Sequence, residues 1–341
     1  MHPTSRLMKF WYRRNTLAWL LWPVSVVFCV LGFIRRFSYT SGMLKPVVFT
    51  TPVVIVGNIS VGGSGKTPLL ISICDYLTQQ GRKPGVVSRG YGGRIKTVHA
   101  LSSSDLAVDV GDEPLMIYQR TACPVVIGAD RAAAVDYLLS SHDCDIVLAD
   151  DGLQHYHLAR AMEIAVVDAQ IKHGNGFCLP AGPLREPVRR LQKVDLVIYN
   201  GIPDGTEWDS KDRLFFQLDF SLIVNLLNAE QQPLSILKHQ RVIAVAGIGQ
   251  PSRFFRLLQQ QGLDIEPRAY ADHYVYTLED INSWQGKTVI MTEKDAVKCR
   301  PLIQQQHTHA QVWYLPVKAH WSEALTRFMA WRLENLITGS E

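Results

Sequence analysis

Val47-Val-Phe-Thr-Thr-Pro-Val-Val-Ile-Val56 runs into Gly57-Asn-Ile-Ser-Val-Gly-Gly-Ser-Gly-Lys-Thr67, and Pro68 leads an apolar stretch from Leu69 to Leu77. The β-branched run predicts a buried strand apart from Pro52 near its start, and the later stretch predicts a helix. Strand, glycine loop, Lys-Thr and helix make the phosphate-loop arrangement, in which backbone N–H groups surround phosphate oxygens at a helix N-terminus. Ser60, Val61, Gly62, Gly63, Ser64, Gly65, Lys66 and Thr67 are therefore the candidate nucleotide loop. Lys66 would reach the β and γ phosphates and the Thr67 hydroxyl would bind Mg²⁺. The strict pattern asks for glycine where this chain has Ser60.

A Mg²⁺-dependent nucleotide site asks for a second acidic strand end. Cys144-Asp-Ile-Val-Leu-Ala-Asp150-Asp151-Gly152 supplies one, where ligands sit in an open parallel sheet. Arg160 to Asp168 and Val194 to Tyr199 read as further strands, so residues from about 47 to 200 predict an α/β parallel sheet with helices on both faces. Gly201 to Lys211 reads as a linker. Beyond it, Arg241 to Gly249 and Lys287 to Thr292 read as strands, Pro251 to Leu258 as a helix, and Trp321 to Ile337 as an amphipathic helix. Gly247-Ile-Gly249 lacks the third glycine of a dinucleotide fingerprint and reads as a tight βα turn. The expected organisation is an N-terminal helical segment over 1–45, a phosphate-loop core over 46–210, and a smaller α/β domain over 211–341 closing the nucleotide cleft.

At 341 residues, with 47% hydrophobic and 19% charged, the chain has material for two cores and is not intrinsically disordered. The six cysteines are scattered without metal-like spacing and read as free thiols in a reducing compartment. Arg6, Lys9, Arg13, Arg14, Arg35, Arg36 and Lys45 face no acid within the first fifty residues, while the net charge of the whole chain is only +4. A basic head on a nearly neutral body excludes a general nucleic-acid binder and points to an anionic lipid surface. Asn15 to Ile34 carries no charge, which is long enough to span a bilayer's hydrocarbon core. No small-residue cleavage site follows, so a signal peptide is disfavoured. Arginine pairs at both ends give no orientation to a spanning helix. A helix interrupted near Pro23 and lying in the headgroup region, with Trp11, Trp19 and Trp22 as anchors, is favoured slightly over a span. A helix packed on the body is the plain alternative.

The loop alone does not choose among kinases, GTPases and ligases. A guanine-reading Asn-Lys-x-Asp is absent, and in Thr292-Glu-Lys-Asp295 the Lys and Asp are adjacent, so a GTPase is disfavoured. A kinase or ligase acting on a soluble small molecule and a nucleotide-gated membrane-associated switch or transport accessory are the competing readings. Six motifs go further: Asn58-Ile-Ser-Val-Gly-Gly-Ser-Gly-Lys-Thr-Pro68, Ser88-Arg-Gly-Tyr-Gly-Gly93, Gly111-Asp-Glu-Pro114, Ala149-Asp-Asp-Gly-Leu-Gln-His155, Leu179-Pro-Ala-Gly-Pro-Leu-Arg-Glu-Pro187 and Thr292-Glu-Lys-Asp-Ala-Val297. In this order they resemble the tetraacyldisaccharide 4'-kinase family, the lipid A 4'-kinases of Gram-negative bacteria, over nearly the whole chain. Ser60 is part of how that family reads.

The resemblance implies transfer of the ATP γ-phosphoryl group to the 4'-hydroxyl of an acylated glucosamine disaccharide 1-phosphate, at the cytoplasmic face of the inner membrane. Thr67 and Asp150, with Glu113, would hold Mg²⁺ directly or through water. Residue types alone leave Asp112, Asp151 and Asp168 all open as the base. The resemblance favours Asp112 paired with His273, which otherwise reads as an ordinary loop histidine. Arg89 and Tyr91, in their glycine-rich loop, read either as contacts to phosphate or sugar or as part of an ordinary turn. On residue types alone, Arg185, Arg189 and Arg190 read either as receivers of the substrate phosphate or as a solvated basic face. His155 and His157 lack further ligands and read as structural rather than metal-binding.

Overall fold

The computed structural model describes residue 11 and residues 15–202, 214–306 and 310–339. Arg6, Lys9, Arg13 and Arg14 of the basic head, and most of the expected linker (203–211), lie outside the described residues. Eight strands open the chain: β1 (Val53–Gly57), β2 (Pro84–Ser88), β3 (His99–Ala100), β4 (Val125–Ile127), β5 (Ile146–Asp150), β6 (Met162–Asp168), β7 (Leu196–Asn200) and β8 (Phe215–Asp219). Then come β9 (Leu222–Asn225), β10 (Gln231–Pro233), β11 (Arg241–Ala246), β12 (Asp264–Ala269), β13 (Thr288–Thr292), β14 (Gln311–Leu315) and β15 (Lys318–Trp321). The helices that matter here are α1 (Thr16–Thr40), α2 (Lys66–Gln79), α3 (Asp112–Arg120), α4 (Arg131–Ser141), α5 (Pro251–Gln260), α6 (Glu293–Gln306) and α7 (Glu323–Thr338).

The larger sheet has the order β15-β8-β7-β6-β1-β5-β2-β4-β3, parallel from β8 to β4 and antiparallel at its two edges. Its central strand starts directly after Pro52, which has no N–H for a ladder, so Val47 keeps only an isolated bridge to Leu158. Alternation along β1 sends Val54 and Val56 to a face packed with Leu69, Ile73 and Leu77 of α2. Val53 and Ile55 go to the opposite face, with Val135 and Leu138 of α4. Helices thus cover both faces, the condition for a buried parallel sheet. A second sheet, in the order β10-β9-β14-β13-β11-β12, is sandwiched in the same way, by Phe254 and Leu258 of α5 on one face and Cys299 and Ile303 of α6 on the other.

Two expectations need correction. The second sheet runs only from Leu222 to Leu315, not across 211–341. β15 alternates its burial and zips onto β8, and Leu325, Met329 and Leu333 of α7 join the same core as β1. The smaller lobe is therefore an excursion from the larger sheet, and the chain comes back to it. In α1, the helix is not interrupted near Pro23 but continues through it. Proline there removes one intrahelical donor while the residues on both sides keep helical geometry.

Candidate active site

β1 delivers the chain to Asn58 at the carboxyl edge of the sheet. Asn58 is fully buried; its Nδ2 donates to Ser64 Oγ at 3.1 Å and its Oδ1 accepts from Lys66 Nζ at 3.3 Å. The loop between them turns through Gly62 and Gly65, at φ of 115° and 91°. Gly65 has no alternative, because a Cβ there would lie 2.6 Å from Asn200 Nδ2, which donates to the Ser64 carbonyl. Ser60 bridges to Leu184, and Val61 N–H donates to the Pro183 carbonyl at 2.8 Å. With Gly63 exposed and Lys66 and Thr67 opening α2, the loop is a braced cradle at a helix N-terminus.

Beside it, β5 ends in Asp150 and Asp151, which behave oppositely. Burial would lift Asp151, but Lys66 at 3.4 Å and Arg185 at 2.7 Å outweigh it and hold the carboxyl at about 2. Burial, with the negative charge of Glu113, pushes Asp150 up to about 7. Ser88 donates to its Oδ2 at 3.4 Å, while the buried Oδ1 has no hydrogen-bond partner. A buried carboxylate oxygen without a partner, with a second acid close by, suits a divalent cation. Among the described residues no three-ligand acidic or imidazole cage gathers. Mg²⁺ does not ask for one, since it takes one or two carboxylates and completes its octahedron with phosphate and water.

The third component crosses between lobes. Asp112 opens α3 and is 3% exposed. His273, on the loop after β12 and at φ 58°, donates from Nδ1 to its two oxygens at 3.0 and 3.1 Å. Burial would raise the Asp112 carboxyl, but His273, Lys294 and Lys298 together hold it below its ordinary value. The same hydrogen bond raises His273. Of the other two base candidates, Asp151 is tied to Lys66 and Arg185, and Asp168 at the end of β6 is engaged by Arg253. Glu113, next to Asp112, pairs with Lys294 at 3.0 Å. Phosphate loop, acid pair and Asp112–His273 dyad therefore share one cleft.

A sequence model of the tetraacyldisaccharide-1-P 4'-kinase family matches residues 17–334. Tetraacyldisaccharide 4'-kinases of Shewanella halifaxensis and Thiobacillus denitrificans are 43% and 45% identical, covering 98% and 86% of this chain and 98% and 90% of their own lengths. The LpxK structure from Aquifex aeolicus, a complex with ATP, superposes with a TM-score of 0.80 at 26% identity, over 93% of this chain and 99% of that one. The chain belongs to the tetraacyldisaccharide 4'-kinase family.

Around the core of this 4'-kinase stand residues that the sequence reading assigned no role. Arg131 is buried at the start of α4, where its guanidinium donates to the Gly128 and Asp150 carbonyls; burial pushes it down to about 10. Lys298 lies one helical turn beyond Lys294, 3.9 Å from Asp112 and 2.8 Å from Asp295. An i, i+4 pair of lysines was the available signal, since both share one face of a helix. Arg131 had none, because a basic residue at a helix start reads as solvent-facing. Arg185, expected on the substrate phosphate, is held by Asp151 on the nucleotide side. Tyr91 is 65% exposed and meets the His273 ring edge-on at 5.1 Å, and Arg89 is exposed beside it. His155 is pushed down to about 4, by burial first and then by Arg131, Arg89 and Arg35, which suits a structural residue and not a charged one.

α1 lies against the Cys178–Ala181 turn, next to Pro183 and Leu184, which brace the phosphate loop. Only Ala18 and Ser25 of its side chains are buried; Leu20, Leu31 and Ile34 are 74%, 63% and 53% exposed. The helix is long and apolar enough to cross a membrane by length and composition. It does not use the body to cover its apolar surface. Ser25 Oγ donates to the Cys178 carbonyl and accepts from Ala181 N–H, and Tyr39 stacks on Tyr156 at 6.3 Å. Between α1 and residues 176–189 lies an open groove of about 440 Å³, with Arg189 in its wall.

Proposed function

We propose that this kinase takes the γ-phosphoryl group of ATP and places it on the 4'-hydroxyl of an acylated glucosamine disaccharide 1-phosphate held at a membrane surface. The observation that carries the reading is the shared cleft. A phosphate loop and Asp150, with a carboxylate oxygen left unpartnered, lie on one side and an acid–base dyad from both lobes on the other, while an uncovered apolar helix packs on the turn that braces the loop. Lys66 and the loop amides neutralise the β and γ oxygens, which is most of what phosphoryl transfer asks of a protein. Asp150, Thr67 and Glu113 would hold Mg²⁺, which would offset the negative charge that develops during transfer. Asp112 accepts the proton of the sugar hydroxyl, and His273 sets the carboxylate's orientation and basicity. Lys294 and Lys298 keep that carboxylate ionised.

Tyr91 and Arg89 flank the dyad on the acceptor side, and Arg185 fixes Asp151 against Lys66. α1, with Arg35 and Arg36 near its end, lies on or in an anionic bilayer, on the cytoplasmic side where ATP is available. The lobe from Leu222 to Leu315 carries His273 and both lysines, so closure of the two lobes assembles the base. The test is incubation with γ-labelled ATP and the acylated disaccharide 1-phosphate in detergent micelles. Label is expected on the lipid. Release of labelled inorganic phosphate with an unlabelled lipid would overturn the reading.

A further inference from the structure

A second opening adjoins the dyad. It is a cavity of about 170 Å³ whose wall contains Asp112 and His273, and its other lining is mainly aliphatic, including Leu106, Val108, Val275, Val297 and Leu302. Leu106 and Val275 are 42% and 63% exposed. A triphosphate and a sugar hydroxyl gain nothing from aliphatic walls, and exposed aliphatic residues grouped beside a buried acid–base pair mark a surface kept for an apolar ligand. An acceptor acylated on its 3'-carbon has such a part close to the reacting oxygen. On a pyranose ring the substituent of the neighbouring carbon leaves right beside the 4'-oxygen, so a 4'-hydroxyl presented to Asp112 carries the adjacent acyl chain towards this cavity.

We propose that the cavity seats the first segment of the acyl chain on the 3'-carbon, a specificity subsite that rests on the functional reading above. At roughly 30 Å³ for a water-sized group the space holds about five or six methylenes. The remainder of the chain passes over Leu106 and Val275 towards the lipid phase. The subsite would then align the acceptor oxygen with Asp112 by apolar burial, which does not compete with the ionic contacts of the phosphates.

The test uses tetraacylated acceptors in which only the 3'-chain varies, from acetyl to tetradecanoyl, the other three chains staying long so that micelle partition is constant. kcat/KM is expected to climb by up to about fourfold per methylene over the first five or six carbons, then level off. The matching series on the reducing-end sugar should stay flat. Ala107→Phe, at a residue in the cavity wall, should end the climb after two or three carbons and cost long-chain acceptors about tenfold, with KM for ATP unchanged. Leu302→Phe gives a second filling of the same space should Ala107→Phe fold poorly. Equal dependence on both chain series, or an unaltered climb in both variants, would overturn the subsite while leaving the kinase reading intact. An absence of label on every acceptor would instead strike the kinase reading itself.

Discussion

His273 donates its Nδ1–H to both oxygens of Asp112, and the two residues belong to different lobes. Neither element alone makes the pair. Asp112 without His273 would keep Lys294 and Lys298, at 3.8 and 3.9 Å, but would lose the hydrogen bonds that orient its carboxylate. The surroundings of this carboxylate are thereby set by the position of the smaller lobe.

The first prediction follows from that coupling. Asp112→Asn is expected to lower kcat by about 10²–10⁴, the usual span for loss of a general base. His273→Asn should lower it by less, and the double variant should lose little more than Asp112→Asn alone. KM for ATP should change little in all three, since neither residue lies in the phosphate loop. Steady-state kinetics on the set decides; strictly additive losses would show that the pair does not act as one unit.

Gly65→Ala tests the loop. Its backbone sits at φ 91°, where a side chain is strained, and the new Cβ would meet Asn200 Nδ2 at 2.6 Å. Asn200 would have to let go of the Ser64 carbonyl, so the cradle should open. ATP affinity, measured by calorimetry, is expected to fall at least tenfold, while the acceptor's KM in mixed micelles stays near that of the native protein.

Much of this was readable from residues in order. The phosphate loop, Asp150 at a strand end and the alternation of strands and helices are local signals, and each follows from a short stretch of chain. The course of the chain after Leu315 was not readable in that way. Lys318 to Trp321 alternates like any edge strand, and nothing in it says that β8, about a hundred residues earlier, is its partner. The dyad is similar: His273 and Asp112 are 161 residues apart, and only resemblance to a family joined them before the fold did. Asp151 shows the opposite failure. As a free carboxylate beside Asp150 it was an equally good base, and only its contacts with Lys66 and Arg185 remove it.

Asp150→Asn should separate metal binding from folding. One carboxylate oxygen is buried without a partner and Glu113 adds like charge, so in Mg²⁺-free buffer the neutral amide is expected to raise Tm by a few degrees. Activity should fall by at least 10², and the Mg²⁺ concentration giving half-maximal rate should rise. A lower Tm with an unchanged Mg²⁺ requirement would make Asp150 a structural acid.

His155 predicts an acid limb of stability. Its ring is held at about 4 against an ordinary 6.5, burial being the larger cause and nearby arginines the smaller. The unfolded chain therefore takes up a proton at higher pH than the folded one. The stabilising contribution is whole above pH 6.5 and is lost as pH falls towards 4, at most about 3 kcal/mol in all. His155→Gln should flatten the fall of Tm across that window; parallel melting curves for both proteins would refute the assignment.

The exposed face of α1 carries the last prediction. Leu20, Leu31 and Ile34 are all more than half exposed and touch no part of the core, whereas Ser25 braces the loop at Cys178 and Ala181. Replacing the three apolar residues by serine should therefore leave the body folded and its ATP affinity unchanged, which deletion of the helix would not guarantee. Apolar burial contributes most of the attraction to a bilayer, and basic residues add roughly 1 kcal/mol each near an anionic surface. The triple variant should lose most of its co-sedimentation with anionic vesicles, and what remains should vanish at high salt, because only the charge term is screened. Its KM for the long-chain lipid should rise while kcat on a detergent-dispersed short-chain acceptor stays the same. Undiminished vesicle binding, with native kinetics on the lipid, would mean that α1 does not meet the membrane through this face.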